Sequence, residues 1–307
     1  MKLPKKYEPQ IRELKFTFYL IRRSPLTLLG LFIIVAWGLP QILPRFPNRS
    51  FVLAAGAIVA LAAFAISAYK QAAYWKDTTT LFTHALAVTK NNYLAHYNFA
   101  SDLAKNGQTA QAIEHYNKAI QIKPYYTDAI LGLGDVYAGK GDIDRAIELF
   151  QKTLSLNPNA DAAAHAHNNL GIMYQEKGNL DKALSHLRKA VQLRPGSPIP
   201  ANSLAWFLAT CHELKNPNPN EAIGLARTAC QLTEYQNPSY MDTLAAAYAS
   251  AGRFSEAVET VQTALKMPET ANRPYVKETL LYHLSFYSQG KPYIESVAKA
   301  LPDSNKP

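Results

Sequence analysis

Hydrophobic and polar positions divide the sequence into an apolar first part and a longer part with a helical repeat pattern. Residues 51–69 (FVLAAGAIVALAAFAISAY) contain no charge and would be about 28 Å long as a helix. Residues 26–43 form a second uncharged run, which Gly38 and Pro40 interrupt. These runs predict two transmembrane helices, joined as a hairpin over residues 26–70. The alternative interpretation is a pair of buried helices in a globular domain.

Basic residues are concentrated around the apolar runs. Of the formal net charge of +9, the first 23 residues carry +5, Arg45 and Arg49 add +2, and all later residues share +2. This distribution predicts that residues 1–25 are a basic leader at membrane lipid, either an interfacial helix or an irregular segment. The nearly neutral remainder has no basic face for phosphates, so nucleic acid is not an expected partner.

A pattern of small, aromatic and turn-forming residues recurs from residue 93 with a period of 34. Small residues at the eighth and twentieth positions, glycine at the fifteenth and proline near the end predict pairs of closely packed helices. Three copies are regular and two are degenerate: 93–126, 127–160, 164–197, 198–237 and 238–271, with an insertion at 161–163. The pattern resembles the tetratricopeptide repeat, which implies an all-α helical-repeat solenoid.

Two further segments flank this solenoid, which spans residues 93–271. Residues 71–92 match the second helix of a repeat, so we expect a half-repeat that joins the solenoid to the apolar run before it. Residues 272–307 are expected to hold a capping helix, over Tyr275–Tyr287, and a tail.

The junction sequence carries a second, more specific resemblance. AAYWKDTTTLFTHALAVTKNNYLAHYN, the preceding GLFIIVAWGLP, and the later LAWFLATC and LYHLSFYSQGKPY are similar to the C-terminal part of bacterial relatives of transmembrane tetratricopeptide-repeat O-mannosyltransferases. The resemblance covers about residues 26–290 and implies a catalytic region ahead of this part. Its catalytic acidic residues are not matched, because only Glu8 and Glu13 precede the second run. We therefore expect no enzyme activity from this chain alone.

The concave face of such a solenoid is formed by the first helix of each repeat, at its second, fifth, ninth and twelfth positions. These positions give the candidate peptide-binding groove: Tyr97, Asp128, Leu131, Asp135, His165, Asn168, Ile172, Gln175, Asn202 and Trp206. For Trp206, packing between repeats is as good an interpretation as partner contact. For Asp128 and Asp135, a solvated surface is the alternative.

No catalytic, cofactor or metal site is predicted. His165 and His167 are two residues apart on one helix and cannot share a metal ion. Cys211 and Cys230 are expected to lie too far apart for a disulfide.

These observations predict a membrane-anchored scaffold that binds a protein or peptide. The alternative is the non-catalytic, acceptor-binding part of a membrane O-glycosyltransferase system, whose partner would be a separate glycosyltransferase subunit. The location expected is the bacterial inner membrane. The basic N-terminus favours a cytoplasmic solenoid, whereas the resemblance favours a periplasmic one, which we preferred.

Overall fold

A computed structural model describes residues 49–214 and 217–295, which are helical and contain no β-strand. The chain divides into two compact units between residues 80 and 81. The predicted leader, the predicted span at 26–43 and the tail from residue 296 lie outside the described residues.

The apolar run at residues 51–69 lies within a single helix, α1, over Arg49–Ala73. Large apolar side chains such as Phe51, Ile58 and Leu61 are exposed within the unit that contains them. In the described ranges, however, no helix has the combined length and hydropathy needed to cross a bilayer. The prediction of two transmembrane helices is therefore not supported.

Thirteen helices follow α1 in the described part of the chain, ten of them in five consecutive pairs. They are α2 Thr78–Val88, α3 Tyr93–Lys105, α4 Thr109–Ile122, α5 Thr127–Gly139, α6 Ile143–Ser155, α7 Ala160–Glu176, α8 Leu180–Leu193, α9 Pro198–Thr210, α10 Pro219–Leu232, α11 Pro238–Ser250, α12 Phe254–Leu265, α13 Pro268–Ala271 and α14 Pro274–Tyr287. The pairs are α3–α4, α5–α6, α7–α8, α9–α10 and α11–α12, and each contacts its neighbours along the chain. The predicted all-α helical-repeat fold is confirmed.

Local sequence signals explain where these helices begin and turn. Six of them start after an Asn or Asp side chain that accepts a backbone N–H from the first turn: Asn92, Asp142, Asn159, Asn179, Asn218 and Asn237. Four of the five pairs turn at a glycine with φ between 71° and 77°: Gly107, Gly141, Gly178 and Gly252. This left-handed conformation favours glycine because other side chains clash there.

Small residues allow the two helices of each pair to pack closely, as the repeat pattern predicted. A Cβ atom on Gly134 would lie 2.7 Å from Cε1 of Phe150, and one on Gly171 would lie 2.5 Å from Cγ of Leu187. The alanines at the twentieth position of the regular repeats, Ala112, Ala146 and Ala183, are fully buried. Larger side chains at these points would force the helices apart.

The three-residue insertion at 161–163 lies within α7, which has 17 residues where α3 and α5 have 13 each. Asn159 caps the helix one turn early, and the alanine-rich stretch after it has high helix propensity. The insertion therefore lengthens the first helix of the third pair.

Helices α2 and α14 pack at the two ends of the row of pairs. The ring of Phe82 in α2 lies 6.0 Å from that of Phe99 in α3, measured between centroids. At the other end, Leu280 and Tyr287 of α14 are buried, and His283 pairs with the buried Asp242 of α11. Both ends of the solenoid core are thus shielded from solvent.

Candidate peptide-binding groove

Five of the predicted groove residues line one pocket. Tyr97 of α3, Asp128, Leu131 and Asp135 of α5, and His165 of α7 surround a cavity of about 310 Å³. They come from the first helices of three consecutive pairs, which the repeat geometry places side by side. We call this site the N-terminal pocket.

Carboxylates make the N-terminal pocket electrostatically negative. Burial raises the pKa of the nearby Tyr126 to about 12, and the charge of Asp128 adds to this effect. The pKa of Tyr97 is raised by burial and then by Asp128 and Asp135. The hydrogen bond from His165 Nε2 to Asp135, 3.3 Å long, raises the pKa of the histidine. Burial is the largest cause for the two tyrosines and the hydrogen bond is the largest for His165, while the charges of the aspartates act in the same direction in each case.

A chain of amide hydrogen bonds extends from this pocket along α7. Asn169 Nδ2 donates to Asp135 Oδ1 at 2.7 Å, and Asn168 Nδ2 donates to Asn169 Oδ1 at 3.2 Å. Asn169 was not among the predicted residues, because it occupies the sixth position of its repeat. Asn169 nevertheless fixes the orientation of Asp135 and Asn168, which are predicted groove residues.

Two amide oxygens next along the groove accept no hydrogen bond from any residue that the structure describes. They are Asn168 Oδ1 and Asn202 Oδ1, at the fifth position of consecutive repeats, and both atoms are buried. A buried acceptor without a donor is unfavourable by about 1–3 kcal/mol. Because both oxygens are closed to solvent, a ligand would reach them only if the two side chains rotated.

The remaining predicted residues do not face an open groove. Trp206 Nε1 and Gln175 Nε2 donate to Oε2 of Glu295, at 2.8 and 3.1 Å. Ile172 packs against the larger hydrophobic core. The structure therefore places five of the ten predicted residues at the open pocket and two, Gln175 and Trp206, against Glu295. The other three have buried polar atoms or pack on the core: Asn168, Asn202 and Ile172.

The structure shows two histidine pairs that the sequence analysis did not predict. Nδ1 of His96 lies 2.9 Å from Nδ1 of His115, and the corresponding atoms of His167 and His186 are 2.8 Å apart. Both pairs are separated by 19 residues, which connects equivalent points on the two helices of a repeat. Burial lowers the pKa of His96, His115 and His186, and that of His167 to about 4. Neutral rings are thereby favoured in the folded protein.

The described residues contain no cluster of three or more His, Cys, Asp or Glu side chains that could hold a metal ion. Cys211 and Cys230 are both free and buried. Burial raises the pKa of Cys230 to about 12, so its thiol is unreactive at neutral pH.

The arrangement of paired helices defines the class of protein. Residues 126–195 match the Tetratricopeptide repeat family and residues 100–141 match the TPR repeat family. Residues 100–195 therefore carry tetratricopeptide repeats, and a repeat scaffold of this kind is suited to protein–protein binding.

The sequence similarity to known proteins covers only part of this chain. Protein O-mannosyl-transferase TMTC1 of Mus musculus is 30% identical over 82 residues, which is 27% of this chain and 9% of that protein. DnaJ homolog subfamily C member 3 of Homo sapiens is 30% identical over 94 residues, 31% of this chain and 19% of that protein. The match thus spans less than a fifth of either relative.

Solved structures agree with the fold. The crystal structure of the APC/C hetero-tetramer Cut9–Hcn1 aligns with a TM-score of 0.55 and 15% identity. The alignment covers 68% of this chain and 40% of that one. At this identity, the likeness establishes the helical-repeat fold alone.

Proposed function

We propose that the chain is a scaffold that binds an extended segment of a protein partner along its concave face. The observation that carries the proposal is the N-terminal pocket, where residues from three consecutive first helices line one cavity. Asn168 and Asn202 occupy the fifth positions of the next two repeats along the same face, where an extended ligand would continue.

The chemistry of the pocket favours a ligand with a basic side chain. Asp128 and Asp135 provide negative charge, and the ring of Tyr97 provides an aromatic face for a cation. Tyr126 packs edge-on against Tyr97, with the ring centroids 5.2 Å apart, and so holds that face in place. A lysine or arginine inserted between these groups would gain both ion pairing and cation–π contact.

A displayed library of random heptapeptides, selected against the purified chain, tests this proposal. We expect the selected peptides to be enriched in Lys or Arg and to lose at least tenfold in affinity for the variant Asp128→Asn, Asp135→Asn. Asparagine keeps the size of each side chain while removing the charge. Glu114→Gln is the matched control, because Glu114 is an exposed carboxylate that pairs with Lys118 of its own helix. Equal binding by the double variant and the control would refute the assignment.

We also propose, as the alternative function, that the chain is the acceptor-binding part of a membrane O-mannosyltransferase-like system. Its support is the 30% identity to TMTC1 and the junction motif in the sequence. In this case the groove would present an acceptor protein to a separate glycosyltransferase subunit. Sugar transfer to a groove-binding peptide on co-expression with such a subunit, and its loss in Asp128→Asn, Asp135→Asn, would favour this function over a simple scaffold.

Membrane attachment belongs to the same proposal. Its support is the exposed apolar side chains of α1 and the basic residues that precede them in the sequence. Under this hypothesis the chain, expressed in bacteria, stays in the pellet after alkaline carbonate extraction. Release into the supernatant would refute it, and a compartment-specific reporter fused after Pro307 would distinguish a periplasmic from a cytoplasmic solenoid.

A further inference from the structure

The segment after α14 turns back onto the concave face of the solenoid. Gly290, with φ of 68°, reverses the chain, and the N–H of Lys291 closes the turn on the carbonyl of Phe286 at 3.1 Å. At Glu295, five residues after Gly290, the backbone N–H donates to the carbonyl of Thr210 at 3.2 Å. Residues 291–295 therefore contact the end of α9, where a ligand of the groove would lie.

Neutral donors hold the carboxylate at the end of this segment. Oε2 of Glu295 accepts hydrogen bonds from the indole of Trp206 at 2.8 Å and from the amide of Gln175 at 3.1 Å. The hydroxyl of Thr210 is 3.5 Å away, but its one proton is donated to the carbonyl of Trp206 at 2.8 Å. Burial raises the pKa of Glu176, and the negative charge of the nearby Glu295 raises it further. Neutral hydrogen-bond donors thus hold this carboxylate oxygen.

The side chain two residues earlier fits an aromatic surface beside these donors. The ring of Tyr293 lies 4.3 Å from that of His283 and 5.9 Å from that of Trp206, between centroids. Ile294, between Tyr293 and Glu295, is 46% exposed. Alternation of this kind is the pattern of an extended peptide, in which every second side chain faces the binding surface.

We propose that Gln175 and Trp206 form a carboxylate-binding subsite for an extended peptide with an aromatic residue two positions before an acidic one. The segment 291–295 is a ligand of this subsite in cis, and a partner peptide of the same pattern competes with it. The inference rests on the proposed function, because it assigns a second specificity to the same groove. The N-terminal pocket takes a basic side chain, and this subsite takes an acidic one.

Competition makes the proposal testable with the full chain. The probe is the peptide Ac-GKPYIE-NH2, which reproduces residues 290–295, with Ac-GKPYIQ-NH2 as its uncharged match. The proteins are the unmodified chain and the released variant Tyr293→Ala, Glu295→Ala, in which the cis ligand has lost its two anchors. We expect the released variant to bind the first probe at least tenfold more tightly, because the apparent affinity is proportional to the fraction of sites that the cis segment leaves free.

Two further variants assign the binding to the named donors. Trp206→Phe in the released variant removes the indole donor while keeping an aromatic ring, and Gln175→Ala removes the other donor at a half-buried position. We expect each to weaken the glutamate probe at least fivefold and the glutamine probe less than twofold. If one variant fails to fold, as judged by circular dichroism, the other carries the test.

Three results would overturn the inference: equal binding of the probe by the unmodified and released chains, equal affinity for the glutamate and glutamine probes, or unchanged binding in both donor variants. These failures are distinguishable from failure of the proposed function. Library peptides that depend on Asp128 and Asp135 would still establish the N-terminal pocket. Conversely, probe binding by the released variant would still establish the subsite if the library yields no basic peptides.

Discussion

The two ends of the concave face use equivalent positions in different ways. In the first three repeats, the fifth positions are Tyr97, Leu131 and Asn168, and the first two line the open N-terminal pocket. In the last repeat the fifth position is Asp242, which is buried and hydrogen-bonded to His283 of α14. The same backbone geometry therefore yields an accessible surface at one end and a closed core at the other.

This difference shows that a repeat pattern determines where side chains point but not which of them a ligand can reach. Accessibility depends on the segment that follows the last repeat. Helix α14 covers Asp242, and residues 291–295 contact Gln175 and Trp206. The following experiments test this difference, in decreasing order of the change that we expect.

Removing the histidine of each His–Asp pair contrasts the two ends directly. His283→Ala leaves the carboxylate of Asp242 buried without its partner, and we expect it to lower the free energy of unfolding by about 3–5 kcal/mol. His165→Ala breaks the partly exposed pair with Asp135, so we expect a loss of no more than about 1 kcal/mol. Urea denaturation measures both. Similar losses would contradict the distinction between a closed and an open end.

The histidine pairs should make the first three repeats sensitive to acid. The folded-state pKa of His167, about 4, lies below the unfolded value, so the unfolded chain binds the proton first. Stability is therefore complete above about pH 6.5 and decreases as the pH falls towards 4. Because these rings are partly exposed, we expect a loss of about 1–2 kcal/mol. The measurement is the melting temperature between pH 7.5 and 4.5.

A variant without the titrating pair provides the control for the pH experiment. His167→Gln, His186→Gln removes two of the four paired rings, both of which have lowered pKa values. The fall in melting temperature between the two pH values should become smaller. An unchanged fall would assign the acid sensitivity to other groups.

Selected peptides should depend on Tyr97 more weakly than on the two carboxylates together. Tyr97→Leu keeps an apolar side chain but removes the aromatic face. The expected loss is about three- to tenfold in affinity, since a cation–π contact at this half-buried ring should contribute about 0.7–1.4 kcal/mol, between the exposed and desolvated values. Tyr125→Leu is the matched control, because Tyr125 is 76% exposed and lies outside the pocket. Fluorescence anisotropy with a labelled peptide gives both affinities. A larger loss in the control would place the binding site elsewhere.

The smallest effect should come from the amide chain. Asn169→Ala removes the hydrogen bonds from Asn169 to Asp135 and from Asn168, but no predicted contact with the ligand. We expect an affinity loss of about two- to fivefold, since Asp135 would be less well oriented. Asn169→Ser, which retains a donor, should recover part of it. No change in either variant would show that this network has no role in binding.

The sequence was sufficient for the repeats and insufficient for the state of the groove. Gly134 and Gly171 could be predicted to allow close helix packing because every copy must satisfy the same steric condition. Contacts between Glu295 and Trp206 join residues 89 positions apart, and no periodicity connects them. The histidine pairs had a usable signal in their shared spacing of 19 residues. The predicted boundaries of the leader, the membrane segments and the capping region remain predictions.

Photocrosslinking gives the most direct test of the central claim, that the concave face at the N-terminal pocket is the peptide-binding surface. Benzoylphenylalanine would replace Tyr97 in one protein and the exposed Tyr125 in another, each mixed with the same library-selected peptide. We predict a crosslinked product from position 97 that an excess of unlabelled peptide abolishes, and none from position 125. Crosslinking from position 125 alone, or equally from both positions, would contradict the account.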